Sequence, residues 1–172
     1  MTFRCILNES LDPYFNLAFE EYLLKNGRNN YFLLWQSKPS VVIGKHQNAY
    51  AEINYNYCKE EELSVIRRIS GGGTVYHDEG NLNFSFIKNG DKDKLVNFKE
   101  NTKPVIQSLS KLGIEAEHIT RNSIVTKKKK ISGNAEHVYK SRVLHHGTLL
   151  FSSNLERLSK SIQVNHDRSE ER

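Results

Sequence analysis

The segment at residues 67–78, RRISGGGTVYHD, decides how the rest of the chain is interpreted. Its consecutive glycines can adopt backbone conformations that other residues avoid, and they leave main-chain N–H groups exposed. A loop of this kind can wrap an anion with those N–H groups. Arg67 and Arg68, directly before the glycines, can add forked hydrogen bonds to a phosphate or a carboxylate. A flexible hairpin turn would also explain the glycines alone, but the flanking residues favour an anion-binding loop, which lacks the Walker A pattern.

A second segment, KKKKISGNA at residues 127–135, places a lysine beside a glycine. A run of lysines is usually a solvated turn, and we expect this for Lys127, Lys128 and Lys129. Lys130 differs because the sequence ISG follows it, where a strand can begin and a glycine lets a ligand approach closely. A lysine at that position can neutralise a phosphate and orient a carboxylate.

The third segment, HHGTLL at residues 145–150, contains two adjacent histidines. Neighbouring residues of a strand point to opposite sides, so the two rings make a poor metal-binding pair. We expect His145 to be a structural residue that forms hydrogen bonds beside a strand, and His146 to be a candidate for a pocket. Asp78 and Glu79 are expected to lie in an exposed turn, and no metal-binding residues are predicted.

Composition limits the function classes. The chain has 172 residues, with 25 Lys and Arg against 20 Asp and Glu, a net charge of +5. That length fits one domain. No apolar run is long enough for a transmembrane helix, and the start lacks a signal sequence. Cys5 and Cys58 match no metal or redox spacing, which favours the cytoplasm. The charge favours anionic partners but is too small and too dispersed to indicate nucleic acid.

The apolar pattern predicts four helices. The first has Asp12 as its N-cap and Pro13 in its first turn, and it ends at Gly27. An exposed acidic helix is predicted at 57–63, and another helix ends at Gly113. The last opens with a capping box, Ser153-x-x-Glu156. The residues predicted to face inward are Phe15, Ala18, Phe19, Tyr22 and Leu23 in the first helix, Val105, Ile106, Leu109 and Leu112 in the third, and Leu155 and Leu158 in the last.

Short apolar or alternating runs predict strands between these helices. They lie at 31–35, 41–43, 65–69, 81–87, 114–119, 123–126 and 149–151. In 81–87 the alternation is strict, with apolar residues on one face and polar residues on the other. Mixed strands and helices predict an α+β or mixed-sheet α/β fold. We assign 1–160 to one domain and 161–172 to a polar tail.

Taken together, these segments resemble the lipoate–protein ligase family. The matching stretches occur in the family's order and cover about residues 4–158. They are DPYFNLAFEEYLL, VVIGKHQNAYAEIN, RRISGGGTVYHDEGNLNFSF, TRNSIVT, KKISGNA and HHGTLLFSSNLERL. The resemblance implies a catalytic domain with the biotin/lipoate-ligase-like fold.

The resemblance also implies a reaction in two steps. Lipoate and ATP, with Mg²⁺, give lipoyl-adenylate and pyrophosphate, and a lysine of a lipoyl domain then attacks the mixed anhydride. Arg68 matches the arginine that contacts the nucleotide, and Lys130 matches the lysine that meets the phosphate and the acyl carbonyl. The loop that holds the adenylate matches Gly73, Thr74, Val75 and Tyr76, completed by Gly71 and Gly72. Further candidates for the site are His77, Asn122, Gly133 and His146.

Two features depart from the family pattern. Ser123 follows Arg121-Asn122 where the family commonly has Asp, which bears on the use of Mg²⁺ or ATP. The family's catalytic domain also continues past the point where this chain ends, so we expect an incomplete domain. The expected acceptors are lipoyl domains of 2-oxoacid dehydrogenase complexes or the glycine cleavage H protein.

Two alternatives to the ligase remain open. One is an octanoyl or lipoyl acyltransferase of the same superfamily, which commonly uses a cysteine thiolate after the glycine loop. Here Cys5 and Cys58 both precede that loop. The other is an inactive fragment that only binds. Val42, Phe84 and Phe86 could line an apolar tunnel for the acyl chain, although core packing is the simpler role for each.

Overall fold

The computed structural model describes residues 2–90, 95–120 and 122–163, which form ten strands and five helices. The strands are β1 (Arg4–Asn8), β2 (Tyr31–Trp35), β3 (Ser40–Ile43), β4 (Ser64–Arg67), β5 (Val75–His77), β6 (Asn81–Asn89), β7 (Glu117–His118), β8 (Ser123–Thr126), β9 (Lys129–Tyr139) and β10 (Arg142–Leu150). The helices are α1 (Pro13–Asn26), α2 (Ala49–Glu52), α3 (Tyr55–Glu60), α4 (Phe98–Lys111) and α5 (Leu155–Ser161). None of the helices in these ranges has the length and hydropathy of a membrane span.

The strands form two sheets, which confirms the predicted mixed-sheet α/β class. The larger sheet has seven strands in the order β1-β2-β6-β10-β9-β8-β7, and only its edge pair β1–β2 is parallel among the described strands. The smaller sheet has the order β4-β3-β5, with β3 parallel to β4 and antiparallel to β5. The chain therefore passes from the large sheet (β1 and β2) to the small sheet (β3, β4 and β5) and back to the large sheet (β6 to β10). The glycine-rich segment joins β4 to β5.

Three apolar clusters hold the layers together. The first packs α1 on one face of the large sheet, and the second packs α3 and α5 on the small sheet. The third packs α4 on the opposite face of the large sheet. The alternation predicted for 81–87 is confirmed in β6, where Phe84 belongs to the third cluster while Asn83 and Ser85 face the other way. Both of these polar residues are buried, so the polar face of β6 is an interior surface.

The predicted inner face of α1 is confirmed only in part, whereas its cap is confirmed. Leu23 is buried and Phe19 packs against the first cluster, but Phe15, Ala18 and Tyr22 are exposed. Asp12 accepts hydrogen bonds from the main chain of the first turn, and Pro13 opens the helix. Tyr22 and Phe15 are 61% and 50% exposed, whereas Asn16 and Glu20 are almost fully buried. Both polar side chains have hydrogen-bond partners in the interior, which compensates for their removal from water. An apolar pattern could not reveal a helix that buries polar residues.

Four other predictions are corrected. Leu112 and Leu155 are exposed rather than inward-facing. The N-cap of α5 is Asn154, which accepts a hydrogen bond from Arg157 N, so the capping box at Ser153 is wrong. Of the strand predicted at 114–119 only β7 forms. The sequence reading also missed β1 and most of β9 and β10.

The last described residues of the chain, in α5 and just after it, pack against the small sheet and its helices. The predicted boundary at residue 160 falls inside α5, whose last residue Ser161 is buried. Ile162 forms a β-bridge with Ile53. Of the predicted tail, residues 164–172 lie outside the described residues.

Candidate active site

A pocket lies between the small sheet and the face of the large sheet that carries α1. It is lined by ten of the residues singled out from the sequence: Arg68, Gly72, Gly73, Thr74, Val75, His77, Asn122, Lys130, Gly133 and His146. These residues come from the glycine-rich segment, from the turn before β8, from β9 and from β10. The fold therefore brings the three sequence segments to one place.

Sequence reasoning missed seven of the eighteen lining residues. The remaining residues are Leu17, Trp35, Val42, Asn83, Asn134, Ala135, Gly147 and Thr148, of which Val42 had been considered as a tunnel residue. Trp35 and Asn83 are paired across β2 and β6, on the face toward α1. The signal that could have found Asn83 is the polar side of the alternating strand, because a buried polar row needs hydrogen-bond partners or a ligand.

Two predicted loop residues do not line the pocket with their side chains. Alternation along β5 turns Val75 and His77 toward the pocket and Tyr76 away from it, into the second apolar cluster. Gly71 also lies outside the lining, but its carbonyl accepts hydrogen bonds from Arg68. Phe84 and Phe86 pack in the third cluster, so the core role holds for both.

The three loop glycines are not equivalent. Gly72 has φ +94°, a conformation that side chains rarely adopt, and a Cβ there would lie 3.0 Å from Arg68 Nη2. Gly71 has no such φ, and a Cβ there would meet nothing within 4 Å. The loop therefore needs a glycine at position 72 more than at position 71.

Gly72→Ala is expected to lower the free energy of unfolding by roughly 1–2 kcal/mol, because alanine resists the left-handed region. It should also weaken binding of an anion by the loop. Gly71→Ala is the matched control and should leave both quantities nearly unchanged. Denaturant titration of the two variants measures the difference, and equal stabilities would contradict the assigned backbone conformation.

The side chain of Arg68 holds the glycine loop in place through hydrogen bonds. Its side chain is buried, and Nη2 donates to the carbonyl oxygens of Gly71 and Gly73, each at 2.7 Å. Nη1 donates to Val42 O at 3.2 Å, and Nε donates to Ser70 Oγ at 3.0 Å. Burial lowers the pKa of Arg68 to about 10, so the side chain stays charged at neutral pH. The guanidinium fixes the loop's carbonyls and places a positive charge beside the pocket.

A buried chain of hydrogen bonds connects this loop to α1. Ser70 Oγ lies 2.6 Å from His146 Nε2, and His146 Nδ1 lies 3.1 Å from Glu20 Oε2. Glu20 also accepts a hydrogen bond from Ser85 on β6. His146 therefore belongs to the pocket, as predicted, and the buried polar face of α1 supplies its carboxylate partner.

His145 points to the opposite side of the large sheet, as predicted for adjacent strand residues. Its Nδ1 lies 2.8 Å from Glu136 Oε1, and its ring contacts Phe84, Phe86 and Phe98. Burial lowers its pKa. These contacts give it a structural role remote from the pocket.

His77 contributes a neutral ring to the pocket. Burial, followed by the charge of Arg68, lowers its pKa to about 3, so it carries no charge at neutral pH. Its ring meets Trp35 edge to face at a centroid distance of 5.7 Å. Its Nδ1 and the Nδ2 of Asn83 are buried without a hydrogen-bond partner in the described structure, and both residues line the pocket. Such atoms are suited to meet polar atoms of a ligand.

Lys130 faces the glycine loop across the pocket. It is an exposed residue near the start of β9, and a Cβ built on Gly133 would lie 3.8 Å from its Nζ. Strict alternation would place Lys130 and Gly133 on opposite faces. The register of β9 against β8 shifts by one residue between them, which leaves Ile131 as an extra residue and lets both line the pocket.

The turn before β9 is the solvated lysine turn expected from the sequence. Lys127 and Lys128 have φ of 47° and 64°, and both are exposed. Asn122 lines the pocket, and its carbonyl accepts hydrogen bonds from Asn134. Ser123 is buried and bonded to Asn122 Oδ1 at 3.3 Å, outside the lining.

Asp78 corrects another expectation, because it is buried rather than exposed. Its carboxylate accepts hydrogen bonds from Gly80 N at 3.0 Å and from Asn154 N at 2.8 Å. It therefore ties the end of the glycine-rich segment to the start of α5. Within the described ranges, no group of three His, Cys, Asp or Glu residues is placed to hold a metal ion.

Curated proteins with similar sequences are lipoate–protein ligases. The chain is 49% identical over 161 residues to lipoate-protein ligase LplJ of Bacillus subtilis, and 46% identical over 160 residues to lipoate–protein ligase 1 of Staphylococcus aureus. Each match covers 92% of this chain and 49% of the relative. The chain thus spans about half the length of these curated relatives.

Solved structures share the fold over nearly the whole chain. A bipartite lipoate protein ligase of Thermoplasma acidophilum, studied with its E2 lipoyl domain, superposes with a TM-score of 0.89 at 31% identity, covering 98% of this chain and 69% of that one. A lipoate-protein ligase A bound with ATP gives 0.88 at 30% identity, with 98% and 74% coverage. LipL1 of Plasmodium falciparum in complex with lipoate gives 0.88 at 31%, with 95% and 52% coverage.

The family model described as the lipoyl protein ligase A/B catalytic domain matches residues 12–172. This match spans every segment that lines the pocket. The chain therefore belongs to the lipoyl protein ligase A/B catalytic-domain family.

Proposed function

We propose that this chain activates lipoate with ATP to form lipoyl-adenylate and then transfers the lipoyl group to a lysine of a lipoyl domain. The observation that carries the proposal is the placement of Lys130 opposite the glycine loop, with Arg68 behind that loop. The names of the relatives and the ATP-bound and lipoate-bound neighbours support the same reaction.

The chemistry requires positive charge where two anions meet. The carboxylate of lipoate must attack the α-phosphate of ATP, and water screens their repulsion poorly inside a pocket. Lys130 Nζ, the charge of Arg68 and the loop's N–H groups supply fixed positive ends there. Binding both substrates in one pocket also removes much of the entropic barrier. No side-chain nucleophile is needed, because attack of the carboxylate on the α-phosphate displaces pyrophosphate and leaves the acyl group activated as a mixed anhydride with AMP. The amine of the acceptor lysine then forms the amide and AMP leaves.

The apolar end of the pocket fits the acyl tail. Leu17, Trp35 and Val42 line it from α1, β2 and β3. Trp35 is buried and its Nε1 donates to Ser85 Oγ at 3.2 Å, which fixes the indole. We propose that the dithiolane end of lipoate lies against these side chains and that its carboxylate points toward Lys130.

Mg²⁺ belongs to the substrate in this proposal. The described residues offer no cluster of three metal-binding side chains, and Ser123 stands outside the pocket lining. We therefore propose that the ion arrives with the phosphates of ATP rather than in a protein-built site.

The acyltransferase alternative calls for a cysteine thiolate, and the two cysteines of the chain lie away from the pocket. Cys58 is buried in the second cluster, with Sγ 3.7 Å from Ser161 O, and burial raises the pKa of its thiol. Cys5 is exposed on β1. Since neither cysteine lines the pocket, the structure favours the ligase. Two free cysteines are also consistent with the cytoplasm, where we place the reaction.

The acceptor is proposed to be a lipoyl domain, of the kind carried by 2-oxoacid dehydrogenase complexes or by the glycine cleavage H protein. The support is the neighbour from Thermoplasma acidophilum, which was studied with its E2 lipoyl domain. The exposed lysines of the turn before β9 can attract an acidic acceptor toward the pocket mouth.

Mass spectrometry of an apo lipoyl domain incubated with the chain, lipoate and MgATP tests the proposal. The expected result is a gain of one lipoyl group that depends on ATP, with release of pyrophosphate. A folded sample that yields neither product would exclude the ligase. Calorimetry that detects ATP and lipoate binding without pyrophosphate release would instead support the inactive-fragment alternative.

A further inference from the structure

The turn between β3 and α2 lies directly against the glycine loop. A Cβ on Gly44 would come within 2.1 Å of Gly72 O, so the two backbones touch. Lys45 N donates to Ser70 O at 2.9 Å. The shape of the turn at residues 44–48, GKHQN, therefore affects the shape of the loop.

Arg67 fixes this turn instead of facing the pocket. Its Nη1 donates to the carbonyl oxygens of Gly44 at 2.8 Å, Lys45 at 3.2 Å and Gln47 at 2.8 Å. It does not belong to the pocket lining. The paired arginines thus have separate tasks, since Arg68 holds the glycine loop and Arg67 holds the turn behind it.

The side chain of Gln47 connects the turn at residues 44–48 to the glycine loop. Its Oε1 accepts hydrogen bonds from Gly44 N at 2.8 Å and from Thr74 Oγ1 at 2.9 Å. An N–H can only donate, so the atom facing Gly44 must be the amide oxygen. Thr74 lines the pocket and Gln47 does not. The amide therefore reaches the pocket only through the threonine hydroxyl.

We propose that Gln47 is a positioning residue for the nucleotide, which acts by holding Thr74 and hence the C-terminal half of the glycine loop. The inference rests on the proposed function, because it takes ATP as the ligand of that loop. Without the glutamine oxygen, the Thr74 hydroxyl and the Gly44 N–H lose their partner, and the loop samples shapes that do not fit the phosphates. The acyl end of the pocket, built from other elements, is unaffected.

A double-mutant cycle between Gln47→Met and Thr74→Val tests this. Methionine preserves length and removes the acceptor, and valine preserves shape and removes the donor. Calorimetry should show that each variant raises the Kd for ATP about tenfold, while the Kd for lipoate changes less than about twofold. The double variant should be no weaker than the worse single variant, because both changes break the same bond. Thr74→Ser, which retains the hydroxyl, should bind ATP more tightly than Thr74→Val does.

The matched control is His46→Met, on the adjacent exposed residue of the same turn. It should leave both dissociation constants unchanged. The positioning role would be overturned if the Kd for ATP is unchanged in folded Gln47→Met or in Thr74→Val. It would also be overturned if the Kd increases of the two single variants multiply in the double variant. If Gln47→Met fails to fold, Thr74→Val against Thr74→Ser decides alone. Failure of the unaltered chain to bind ATP would overturn the proposed function and this inference with it.

Discussion

Lys130→Ala is expected to lower the rate of lipoyl-adenylate formation by at least about 10²-fold while the far-UV circular dichroism spectrum stays unchanged. In the proposed reaction the loss is large because the ε-ammonium neutralises the carboxylate and the α-phosphate as they meet, and a water molecule carries no net charge to take its place. The fold should survive because Lys130 is exposed and lies outside the three apolar clusters. Pyrophosphate release measures the rate.

Lys127→Ala is the matched control for this prediction. The two lysines lie three residues apart, but Lys127 sits in the exposed turn between β8 and β9 and does not line the pocket. Its removal takes away the same formal charge and should change the rate less than about twofold. Normal adenylation by Lys130→Ala, or equal losses in the two variants, would refute the role of Lys130 in the chemistry.

The charged residues Arg68 and Lys130, which line the pocket, could be singled out from the sequence because each belongs to a short local motif. The glycine segment and the lysine beside ISG can each be recognised from fewer than about a dozen consecutive residues. The same is true of the helix cap at Asp12. The prediction failed where the interior is polar. Glu20 is buried because its partners His146 and Ser85 come from β10 and β6, far away in the chain. No periodicity within α1 could indicate those partners.

Register produced the second kind of failure. Lys130 and Gly133 both line the pocket because the register of β9 against β8 shifts between them. This shift is a property of the strand pairing, so neither strand's sequence alone predicts it. The separate tasks of Arg67 and Arg68 depend on strand alternation and on the turn at residues 44–48, which lies about twenty residues earlier. Motifs thus identified which segments meet, and only the fold shows which atom each side chain meets.

Arg68→Met is expected to lower the free energy of unfolding by about 2–4 kcal/mol and to abolish ATP binding by the loop. The carbonyls of Gly71, Gly73 and Val42 each lose a donor, and the side chain is only 7% exposed, so water has little access to replace it. The loop then lacks both the hydrogen bonds that hold its carbonyl groups and the nearby positive charge. Denaturant titration and calorimetry measure the two effects.

Arg67→Met provides the comparison because it removes the same side chain one residue earlier. Arg67 also donates to three carbonyls, but it is exposed, and water can take over those bonds at a cost of less than about 1 kcal/mol. Arg68→Lys should fall between the two, since lysine keeps the charge but cannot span three carbonyls with a planar fork. If Arg68→Met unfolds no more readily than Arg67→Met, the buried guanidinium does not hold the loop, and charge alone accounts for its presence.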